Sequence, residues 1–134
     1  MKKYLLDTCA LIWYLEGKKR VNSIAEKIEY YDGDFAISVE SLKEIIHLMQ
    51  TRGSKKLEID ISFMDLVNLL KKKNIGILGV ELNALQKLYE LPMYKGHNDP
   101  SDRLIISQAI LYNRTLITGD EKFYQYDDLE LLQV

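Results

Sequence analysis

One cysteine in 134 residues leaves no partner for an internal disulfide, which argues against a disulfide-stapled secreted scaffold. That residue, Cys9, lies in the apolar run TCALIWYL and reads as a packing residue in a reducing compartment. No stretch approaches the ~20 apolar residues of a membrane span. The start MKKYLL has the charge of a signal peptide, but Asp7 interrupts the apolar run and no small-residue cleavage site follows. Linkers and low-complexity segments are missing too, so a single domain over 1–134 is expected, in the cytoplasm. Charge of one sign is also lacking: 20 acidic against 18 basic residues leave a net −2, which counts against a nucleic-acid binder built on one broad basic face. The short basic clusters Lys18-Lys19-Arg20, Lys55-Lys56 and Lys71-Lys72-Lys73 read as solvated helix ends and loops. No Cys/His cluster offers a zinc site, and no glycine-rich loop offers a phosphate cradle.

What is present alternates. Tyr4–Leu6 reads as a strand, followed by a helix over TCALIWYL that Gly17 stops. Phe35–Ile37 is a second strand, and Ser38 caps a helix running to about Arg52, with Gly53 beyond it. Residues 60–73 are broadly helical, 75–80 a buried strand, and 81–91 a helix that stops before Pro92. After the loop MYKGHN come a helix over 100–113, a strand over 115–118 and a last short strand over 129–134. Such alternation predicts an α/β fold with a parallel sheet covered on both faces. Ligands in these sheets bind at the carboxyl ends of the strands, where the strand order reverses.

The acids fall where that geometry directs attention. Asp7 and Asp120 each follow a strand, and Ser38 leads from another strand end into the helix that carries Glu44. In HNDPSDRLIISQA, Asp102 shares the helical stripe of Ile105, Ile106 and Ala109, an unusual place for a charge. Each acid also has a plain explanation. Asp99 before Pro100 is a common helix start, Asp7 can cap its helix, and Asp120 suits a turn after Gly119. On the helical wheel Glu44 lies on the polar arc with His47, and His97 fits a simple loop histidine. Brought into one cleft, however, these carboxylates would repel one another and raise each other's pKa unless a cation neutralised them. Magnesium or manganese, with their preference for oxygen ligands, suit such a cleft.

In order and spacing, LLDTCALIWYL, AISVESLKEI, HNDPSDRLIISQA and LITGDEKF resemble the motifs of the PIN-domain nucleases, specifically the VapC-type toxins of toxin–antitoxin pairs. The likeness covers nearly the whole chain. Cys9 stands where many relatives have histidine, and Ser101 where an aromatic is frequent. The resemblance implies a three-layer α/β/α fold around a central, mainly parallel sheet of four or five strands. It implies a Mg2+- or Mn2+-dependent endoribonuclease with Asp7, Glu44, Asp102 and Asp120 as ligands, and Asp99 as an additional candidate. Thr8, Thr118 and Arg103 are candidates for holding water or substrate phosphate. The implied partners are RNA, a cognate antitoxin and a second copy of the chain, with no membrane. Two other classes stay open: a noncatalytic domain that keeps the acidic pocket for a metal or a partner's basic side chain, and a phosphoacceptor domain using Asp7 or a neighbouring acid.

Overall fold

The protein is seen in a computed structural model that describes residues 2–19, 21–23, 26, 33–51, 60–120, 123 and 125–134. Arg20, Lys55-Lys56, Arg52 and the expected stop at Gly53 lie outside the described residues. Five strands form one sheet: β1 (Lys3–Leu6), β2 (Asp34–Ser38), β3 (Gly76–Leu78), β4 (Thr115–Thr118) and β5 (Leu131–Gln133). Their order is β3-β2-β1-β4-β5, and every pairing is parallel. Among the helices between them are α1 (Thr8–Leu15), α2 (Val39–Gln50), α3 (Phe63–Lys72), α4 (Leu82–Glu90) and α5 (Pro100–Leu111). The expected sheet class is therefore found, with all five strands running the same way. Among the described residues no helix is long and apolar enough to cross a membrane.

The sheet separates two cores, and the pleat decides which residue joins which. Leu6, Phe35, Ile37 and Ile117 point to one face, where they meet Leu11 of α1, Leu42 and Ile45 of α2, and Leu66 and Leu70 of α3. Leu5, Ala36 and Leu116 point to the other, against Ile105, Ile106 and Ala109 of α5. Burial on both faces is why these strands are continuous apolar runs and not alternating ones. At about 1.5–3 kcal/mol for each fully buried Leu or Ile, the two layers supply the main favourable term of folding.

Local rules set the helix ends. Gly17 (φ 75°) closes α1: its N–H reaches Tyr14 O at 3.2 Å, and Lys18 N–H reaches Trp13 O at 2.9 Å. Asn74 (φ 58°) and Asn113 (φ 53°) end α3 and α5 in the same left-handed way. The strand expected over 75–80 shrinks to Gly76–Leu78, because only those residues find partners on β2.

Candidate active site

The sheet reverses its winding between β1 and β4, and the chain leaves the carboxyl ends of both at this point. Asp7 follows β1 there, and Gly119-Asp120 follow β4. Asp7 also caps α1 through Oδ1, which accepts the Ala10 N–H at 2.8 Å. Its Oδ2 accepts the Thr118 hydroxyl, while Thr118 Oγ1 in turn accepts the Asp120 N–H at 3.0 Å. The cap and the switch point thus share one carboxylate, which is 5% exposed and held by two donors.

Asp102 comes from the first turn of α5 and faces the same space. Asp7, Asp102 and Asp120 line one open cavity of about 460 Å3, walled by Cys9, Trp13, Gly119 and Phe123. Gly119 is required by the close approach of Trp13, whose ring carbons lie 2.5 Å from where a Cβ would stand. Glu44 joins from the α2 side. Thr8 Oγ1 donates to Glu44 Oε1 at 2.6 Å and lies 2.9 Å from Ser41 Oγ, so its one proton serves the carboxylate and its lone pair is open to the serine. That tertiary contact is what the helical wheel missed: Glu44 is half-buried, not solvated.

The carboxylates raise one another. Burial, then the charges of Asp120 and Glu44, push Asp7 up to about 6, against the pull of the Thr118 and Ala10 hydrogen bonds. Asp102 is pushed to about 7 by burial first, then by Asp99, Glu44, Asp7 and Asp120. Glu44 is raised by burial and by Asp99 and Glu40, with Thr8 and Lys43 opposing. Among the described residues the main charges acting on Asp7 and Asp102 are other carboxylates. Such oxygen-rich, self-repelling donors fit a hard divalent cation.

Other expected residues sit differently. Asp99 caps α5, its Oδ1 accepting the Asp102 N–H at 2.9 Å, and acts on the cluster through its charge. Arg103 is corrected as a phosphate ligand: the side chain is 7% exposed and its guanidinium donates to the carbonyls of Pro92 (2.9 Å), Leu91 (3.4 Å) and Leu88 (3.5 Å). It clamps the end of α4 and the following loop to α5. Cys9 is corrected as a core residue, for it is exposed at the cavity. Crowding around its sulfur and the negative field of Asp7, Asp102, Glu44 and Asp120 push its thiol to about 11, so it stays neutral.

Two residues escaped the sequence reading. His97, taken for a loop histidine, is 3% exposed, with Nδ1 2.8 Å from Tyr126 Oη and Nε2 3.9 Å from Asp102 Oδ2. Its signal in the sequence was only its place, two residues ahead of the cap Asp99. Glu40 is buried beside the cleft, where its Oε1 accepts from Ser101 at 2.8 Å and pairs with Lys43 at 2.7 Å. Ser101, the departure from the aromatic of many relatives, thereby ties α5 to α2.

Comparison with known proteins places this arrangement. No curated protein sequence matches the chain. Its fold is shared with VapBC2 from Rickettsia felis bound to a promoter DNA fragment, at a TM-score of 0.72 and 17% identity over 98% of each chain. DNA-bound VapBC from Salmonella typhimurium superposes at 0.70 with 18% identity, over 99% of this chain and 98% of that one. FitAcB from Neisseria gonorrhoeae gives 0.69 and 17%, over 97% and 96%. The PIN domain family model matches residues 4–129, a span that holds Asp7, Glu44, Asp99, Asp102 and Asp120, and the chain therefore belongs to the PIN domain family.

Proposed function

We propose that the chain is a Mg2+- or Mn2+-dependent endoribonuclease and the toxin of a toxin–antitoxin pair. The observation that carries this is the convergence of Asp7, Asp102 and Asp120 on one cavity at the switch point, with the charge of Glu44 acting on Asp7 and Asp102. PIN domains are generally nucleases, and the similar structures named above include VapBC complexes.

Asp7, Glu44, Asp102 and Asp120 would hold the cation, with Asp99 adding negative charge from the α5 cap. Held there, the cation would supply an activated water for attack on a phosphodiester and would offset charge on the phosphate. The chain's own residues supply the fixed frame. Ala10 N–H and Thr118 Oγ1 lock both oxygens of Asp7, so that carboxylate needs no rearrangement. Thr8 holds one oxygen of Glu44, Oε1. Thr8 and Thr118 therefore act on the carboxylates and not on phosphate. Trp13 and Phe123 supply apolar walls to the cavity. RNA phosphates are held at the rim by exposed lysines such as Lys43, which makes RNA binding weak without the cation.

The partners follow from the same reading. Leu82, Leu85, Tyr89 and Met93 expose a run of large apolar side chains along and just beyond α4, with Tyr89 85% exposed. Such a strip suits cover by a second copy or by an antitoxin segment. A cytoplasmic site of action fits an RNA substrate.

Purified protein with MgCl2 or MnCl2 should cut cellular RNA, and Asp7→Asn and Asp102→Asn should not. Equal cleavage by all three proteins would assign the activity to a contaminant and overturn the proposal. Expression should arrest growth, and a neighbouring gene product should relieve the arrest. A noncatalytic pocket would instead bind a cationic peptide and leave RNA intact with either metal.

A further inference from the structure

His97 is a buried polar side chain beside Asp102 for which the chemistry above has no use. Its ring is fixed on several sides. It packs edge-to-face on Phe123 and Tyr126, with centroids 4.8 Å and 5.4 Å away, and Nδ1 lies 2.8 Å from Tyr126 Oη. The Tyr126 contact fixes the ring's heading, and it leaves Nε2 on the other edge, 3.9 Å from Asp102 Oδ2. One ligand atom each from His97, Asp102 and Asp120 lie within 4.8 Å of one another. Ligands at about 2.1 Å from a shared ion are about 3 Å apart when adjacent and about 4.2 Å apart when opposite. The three side chains are thus within small rotations of a common ion.

We propose that His97 is a nitrogen ligand at this site and, with Asp102 and Asp120, makes it selective for a transition-metal dication of the Mn2+ class over Mg2+. This rests on the metal-dependent function proposed above and narrows its cofactor. Imidazole is a ligand of transition metals, whereas magnesium takes oxygen donors and water. Coordination through Nε2 places the ring proton on Nδ1, where it donates to Tyr126 Oη. That is the outer hydrogen bond by which metal-binding histidines are oriented. Tyr126 is therefore a positioning residue.

The test is Mn2+ binding by the purified chain, read by electron spin echo spectroscopy and titration calorimetry, with Mg2+ titrated in parallel. The unaltered protein should show nitrogen coupling to bound Mn2+. His97→Gln should lose that coupling and weaken Mn2+ about tenfold or more while changing Mg2+ by less than about threefold. Tyr126→Phe, which keeps the imidazole, should weaken Mn2+ in the same selective way, and circular dichroism of each variant reports folding. Mn2+ that binds the unaltered chain without nitrogen coupling overturns the proposal and leaves the acidic metal site standing. So does equal weakening of both metals in a folded variant. If neither metal binds, the parent function falls with it. Asp102→Asn separates the two cases, because it should weaken both metals.

Discussion

Replacing Asp102 with asparagine separates what its charge does for function from what it does to stability. The side chain is 32% exposed. Burial and the charges of Asp99, Glu44, Asp7 and Asp120 raise its pKa from 3.8 to about 7. Between those values the folded chain keeps a proton that the unfolded chain has released, so stability falls as pH rises through that window. At 1.36 kcal/mol for each tenfold in proton affinity, the whole displacement corresponds to about 4 kcal/mol. Solvent screening of a side chain open on one side reduces this to about 1–2 kcal/mol. Asparagine keeps the shape and the helical position without the charge. Without metal at about pH 8, the variant should therefore melt about 3–8 °C above the unaltered protein. The gain should shrink as pH falls and vanish below 3.8, where both states are protonated. Saturating Mg2+ or Mn2+ should reverse the order, because a ligand present at 100 times its Kd adds about 2.7 kcal/mol to the protein that binds it. Thermal unfolding followed by circular dichroism, with chelator or metal across this pH range, measures all three effects. A variant that melts lower at about pH 8 in chelator, or gains as pH falls, would refute the account of mutual repulsion.

Three other changes test separate parts of the frame. Gly119→Ala sets a Cβ against the Trp13 ring and should cost about 1–3 kcal/mol, with a shift in fluorescence from the chain's one tryptophan; an unchanged melt and spectrum would mean the ring moves freely. Thr118→Val removes the donor to Asp7 and the acceptor for Asp120 N–H, costing about 1–3 kcal/mol and moving the alkaline rise of the pH–rate profile upward, since Asp7 loses a bond that favours its ionised form. A profile that moves down instead would show that Thr118 does not hold Asp7. Arg103→Ala should lower the melting temperature by releasing three carbonyls, while affinity for RNA measured with Asp7→Asn present stays within about twofold; a large loss of affinity in folded protein would restore Arg103 to the substrate.

The parallel sheet could be read from the chain because its strands are continuous apolar runs that end in polar residues. Asp7 and Asp120 could be placed for the same reason, since a residue that follows a central strand has few places to go. Glu44 was harder. The wheel describes one helix alone, and what turns this acid inward is Thr8 on another helix. Cys9 misled in the opposite direction: in an apolar run it looks like core, but the first turn of α1 opens on the cavity and exposes it. His97 lies in the loop ahead of α5 and Arg103 in its first turn, and their partners, the hydroxyl of Tyr126 and the carbonyls at 88–92, are set by tertiary packing, which neither position announces.

The two cores meet only across the sheet, and the acids are divided among the layers in a way that matters. Glu44 rides on the helix layer that packs on Leu6 and Ile37, Asp102 on the layer that packs on Leu5 and Leu116, and Asp7 and Asp120 follow the strands between. A dication gripped by all four would rivet three slabs at one edge. Amide hydrogen exchange in α2 and α5, which pack on opposite faces of the sheet and meet through Glu40 and Ser101, should then slow together on loading, although the two helices have separate hydrophobic support.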